Sequence, residues 1–72
     1  MEILRERVAR QIKERGFCLV FNAELESYWP SEKTEAVERK TAIEAFAKSH
    51  GWNAAILDGV SGTRAIFRMV QP

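Results

Sequence analysis

The chain is poor in the residues that staple, ligate or anchor a protein. It has one cysteine, Cys18, and one histidine, His50, among 72 residues. A single cysteine excludes an internal disulfide. One Cys with one His is too few for a structural zinc site, and no carboxylates stand at calcium-loop spacing, so neither metal nor cofactor is expected. Long hydrophobic runs are missing too. The longest, Phe17 to Phe21, covers five residues against the ~20 of a membrane helix. Glu2, Arg5, Glu6 and Arg7 stand where a secretory leader would be apolar, which makes cytoplasm the expected compartment. Nor is there an excess of one charge. The formal net charge is +1, which gives no general pull toward nucleic acid or anionic membranes.

What is present is enough apolar material for one small domain. The hydrophobic fraction is 46%, ordinary for a globular chain and too high for a disordered one. A domain this short hides only ~60% of its unfolded surface, which disfavours a deep substrate cavity and hence an enzyme that encloses its ligand. Charge is unevenly spread. Residues 1–15 hold five basic and three acidic groups, residues 22–38 one and five, and residues 39 onward five and two. Such segregation is ordinarily a solvated face.

Periodicity and capping signals divide the chain. Residues 2–15 read as a helix with Leu4, Val8 and Ile12 on one side, stopped at Gly16. Phe17 to Asn22 is the first strand, apolar on both faces, as suits a central strand or one hidden by a partner. Asn22 to Pro30 reads as a linking segment. The longest element is a helix entered at Ser31 as N-cap behind Pro30 and closed by His50-Gly51-Trp52, with Gly51 left-handed and Trp52 folding back onto Phe46 or Ala47. Its inner side carries Ala36, Arg39, Lys40, Ile43, Phe46, Ala47 and His50. Trp52 to Leu57 and Arg64 to Val70 are strands joined through the glycine-bearing turn Asp58 to Thr63. Helix, glycine, aromatic and strand occur twice, 35 positions apart, which shared capping chemistry explains without duplication. The fold expected is α+β, a single domain over residues 1–72: a small two-layer sandwich in the order α-β-α-β-β, with two helices on a three-stranded sheet.

No constellation carries recognisable catalytic chemistry. Ser61, His50 and Asp58 can be drawn as a triad, but no nucleophile-elbow pattern supports them, and His50 beside a helix stop has a capping role. No enzyme is expected. Two surfaces remain. Arg64 and Arg68 share one face of the last strand, and with Arg39 they would make an anion-contacting cluster; the alternative for Arg39 is a stem covering the core margin. Tyr28 and Trp29, in a polar stretch before a helix, serve either as core or as an exposed partner contact.

From Glu38 onward, Arg39 on a helix, Gly51 with Trp52 at its end, and Ser61, Gly62 and Arg64 entering a strand resemble a family of small single-stranded nucleic-acid-binding domains, the one named for an arginine and a histidine separated by three residues. The resemblance covers less than half of the chain and implies nucleic-acid contact through Arg39 and Arg64. The family's histidine is replaced here by Ile43. The leading expectation is therefore a non-catalytic module that binds a protein partner or another copy of itself. The runner-up is a weak single-stranded nucleic-acid binder using Arg39, Arg64 and Arg68.

Overall fold

A computed structural model of the protein describes residues 2–60 and 62–70. Helix α1 spans Glu2–Arg15, strand β1 Phe17–Val20, helix α2 Asn22–Tyr28, helix α3 Ala36–Ser49, strand β2 Trp52–Gly59 and strand β3 Gly62–Met69. The sheet order is β1-β3-β2, and both pairings are antiparallel. The helices pack on one face of the sheet, as the two-layer α+β reading expects.

Two glycines set the geometry. Gly16 follows α1 at φ +87° and its N–H reaches the Ile12 carbonyl at 2.8 Å. Gly51 follows α3 at φ +78°. This left-handed conformation costs glycine nothing, and it turns each helix directly back into a strand. Trp52 then lies 6.0 Å from Phe46, ring to ring.

Strand alternation sorts the side chains between two faces. Cys18, Val20, Ala65 and Phe67 point to the helices and are fully buried. Leu4, Val8 and Ile12 of α1, Leu25 of α2, and Ile43 and Ala47 of α3 meet them in one core. An aromatic group closes one end, with Phe46 edge-on to Trp29, Trp52 and Phe67 at 5.5, 6.0 and 5.9 Å.

Four expectations need correction. The segment from Asn22 is a helix, not a linker. Leu25 and Trp29, four residues apart, fix its inner side, and Pro30 ends it by pushing Trp29 out of the helical region to φ −134°, ψ 78°. The long helix begins at Ala36, not after Ser31, because Ser31 is otherwise engaged. Its N–H and hydroxyl donate to the Glu26 carboxylate at 2.9 and 2.6 Å. Strand β1 is an edge of four residues and β3 is central, which overturns the central-strand alternative for Phe17 to Asn22. The hairpin is also tighter than expected, since Gly59 pairs with Gly62 across a two-residue connection. Ser61 lies outside the described residues.

Candidate binding surface

The face of the sheet turned away from the helices carries the alternate residues of each strand. The register lays them in rows: Phe17, Arg68 and Asn53; Leu19, Ile66 and Ala55; Arg64 beside Leu57. The helices all pack on the opposite face. Phe17 and Leu57 keep 40% and 42% of their surface in contact with water, a large exposure for apolar residues in regular strands. Leu19 and Ile66 are half-buried, and Ile66 lines a depression with Ala55, Arg68 and, from the end of α1, Ile12 and Gly16. Phe21 follows β1 and, 60% exposed, lines a shallow depression with Asn22, Gly62 and Arg64.

The electrostatics of this face are one-sided. Arg64 and Arg68 are exposed on the central strand. Among the described residues neither guanidinium has an ion-pair or hydrogen-bond partner. Asp58, the one acidic residue within the strands, alternates with Ala54 and Ile56 toward the helix side. Its Oδ1 accepts from the Thr63 hydroxyl at 2.8 Å, which pins the hairpin.

Arg39 stands elsewhere. It is only 6% exposed in the helix layer. Its Nε donates to the Trp29 carbonyl at 2.7 Å and its Nη2 to Asn22 Oδ1 at 3.2 Å. Glu26 Oε2 lies 3.6 Å from the same Nη2. The two Ser31 donors, together with Arg39, hold the Glu26 carboxyl below its ordinary value of 4.5. Arg39 thus fastens α2 and the following turn to α3, and the structure does not bring it together with Arg64 and Arg68. Sequence spacing placed Arg39 on the inner side of its helix correctly. Its hydrogen-bond partners lie ten and seventeen residues upstream, in and just after α2, a helix that no local sequence signal declares.

Trp29 is buried at 8% exposure and belongs to the core, with Tyr28 half-buried 6.0 Å from it. His50 is exposed at the end of α3, its ring 5.1 Å from Phe46 and 5.0 Å from Trp52. Asp58 stands at the far end of β2, about 20 Å along the strand from Trp52 at ~3.3 Å per residue. His50 and Asp58 are therefore not in reach of each other. Cys18 is fully buried; burial pushes its thiol up, against an opposing pull from Arg7, and Arg7 itself bridges α1 to Glu24 of α2. Among the described residues no group of three or more His, Cys, Asp or Glu side chains is arranged for a metal ion. Among those same residues no helix is long and apolar enough to cross a membrane. No family model, no curated protein and no solved structure matches the chain.

Proposed function

We propose that the chain is a non-catalytic interaction domain that meets its partner through the open face of the sheet. One observation carries this reading: the face without helices combines Phe17, Leu19, Ala55, Leu57 and Ile66 with two unpaired arginines and no strand carboxylate. Apolar rows supply the area removed from water on binding. Arg64 and Arg68 select the sign of what binds, because an arginine left without a counter-charge in an interface is costly. The partner that fits is a surface or segment with apolar groups flanked by negative charge.

A second reading, favoured by the same arginines, makes the partner single-stranded nucleic acid. Flat apolar groups then stack with bases while the guanidinium groups meet phosphates. Arg64 and Arg68 carry this reading without Arg39, whose guanidinium is already engaged.

Affinity measurements on matched charge reversals test both. The probes are a fluorescein-labelled mixed-sequence single-stranded oligonucleotide and a labelled peptide of alternating Glu and Leu. The variant R64E/R68E on the open face is expected to lose at least tenfold in affinity for whichever probe binds. K40E/K48E, at two exposed positions of α3, makes the same net change and is expected to lose much less. Equal losses would mean that net charge alone drives binding, and the open-face assignment would fall. Salt-dependent binding of the oligonucleotide, and not of the peptide, would select the second reading.

A further inference from the structure

Strand β2 has a free edge, and the hydrogen-bond parity of the hairpin identifies which groups lie along it. Gly59 pairs with Gly62 across two residues, and the Val70 N–H donates to the Gly51 carbonyl at 3.1 Å at the other end of the same ladder. The residues of β2 bonded to β3 are therefore Asn53, Ala55, Leu57 and Gly59. The N–H and C=O groups of Trp52, Ala54, Ile56 and Asp58 point the other way, where the sheet has no further strand among the described residues. Proteins ordinarily guard such an edge with lysine, proline, a bulge or brevity. β2 has none of these. It runs for eight residues, WNAAILDG, with small side chains at its middle and one charge near its end.

We propose that two copies of the chain pair β2 to β2, antiparallel across a two-fold axis at Ala55, to form one six-stranded sheet. In this register Ala54 stands opposite Ile56 of the second copy, and Trp52 opposite its Asp58. Every free-edge N–H and C=O on each copy then has a counterpart, giving eight interchain hydrogen bonds. Ala55 opposite Ala55 puts the smallest side chains on the axis, so the backbones approach without a clash. Asp58 meets a tryptophan and not its own copy, so no like charges face each other. The edge pairing is independent of what the open face binds, and it places two such faces side by side on a continuous sheet.

Sedimentation equilibrium from micromolar to millimolar concentration tests this. The unaltered protein is expected to pass from monomer to dimer in that range. A54P removes an edge N–H that takes no part in the β3 ladder and is expected to weaken the dimer at least tenfold, with an unchanged far-ultraviolet circular dichroism spectrum. A55K and A55E each place like charges on the axis and are expected to weaken it similarly, whereas an equimolar mixture of the two restores a dimer. That rescue separates a lost interface from a lost fold. A protein monomeric at millimolar concentration overturns the proposal, as does a dimer indifferent to A54P in a folded variant. Failure of A55K and A55E to rescue each other overturns the register.

Discussion

Arg39 illustrates how little a side chain's type says about its use. An arginine on the inner side of a helix reads equally as ligand contact or as core margin until its partners are placed. Here the guanidinium meets a main-chain carbonyl, an amide oxygen and a carboxylate, all on or just after α2. Removing it strands the Trp29 carbonyl and leaves Glu26 without its cation, and a buried polar group without a partner costs ~1–3 kcal/mol. R39M, which keeps the apolar stem, is therefore expected to destabilise the fold by about 2 kcal/mol in urea unfolding. Its affinity for the probes used on R64E/R68E is expected to remain unchanged where the protein is folded. A stability unchanged by R39M would show that the clamp contributes nothing. Arg64 and Arg68 are the reverse case. Their guanidinium groups have no ion-pair or hydrogen-bond partner among the described residues, so their replacement is expected to move binding far more than stability.

At the scale of elements, the fastening of α2 to the turn after it depends on protonation. The Glu26 carboxyl is held below the ordinary 4.5 by the Ser31 hydroxyl and N–H, with Arg39 adding to them. A lowered folded-state value means that the unfolded chain takes up the proton first. The associated stability is thus complete above the unfolded value and is lost as pH falls through the folded one. Urea midpoints measured downward from about pH 5 are expected to fall more steeply for the unaltered protein than for E26Q, which cannot titrate. Parallel curves would contradict this role for Glu26. The same region shows what was legible in the sequence. The ends of α1 and α3 are declared by Gly16 and Gly51, whose left-handed backbone is a local requirement, and the alternation of Arg64 to Val70 put both surface arginines on one face. Helix α2 is not declared locally. It is seven residues long with no side-chain cap, and it exists because Leu25 and Trp29 find the core. Short helices of this kind are stabilised by packing and not by propensity. Ser31, a good N-cap by type, binds Glu26 instead, which moves the start of α3 to Ala36. The two-sided apolar character of Phe17 to Phe21 signalled a covered strand. The strand is an edge and not the centre of the sheet, with Cys18 and Val20 inward and Phe17 and Leu19 on the open face.

For the whole molecule, the arrangement concentrates all three helices and the core on one side of a thin sheet and leaves the other side to water. A chain of 72 residues has little apolar surface to spare, so leaving Phe17, Leu57 and their neighbours exposed forgoes stabilisation that burial would supply, which is what the proposed contact would recover on binding. The central claim is that this face, and not the helix layer, makes the contact. Amide chemical-shift mapping of isotope-labelled protein during titration with the mixed-sequence oligonucleotide and the Glu-Leu peptide tests it most directly. Shifts are expected to gather on Phe17, Leu19, Leu57 and Arg64 to Arg68 for the probe that binds. Shifts gathered on the exposed sides of α1 and α3, or none with either probe at millimolar concentration, would contradict it.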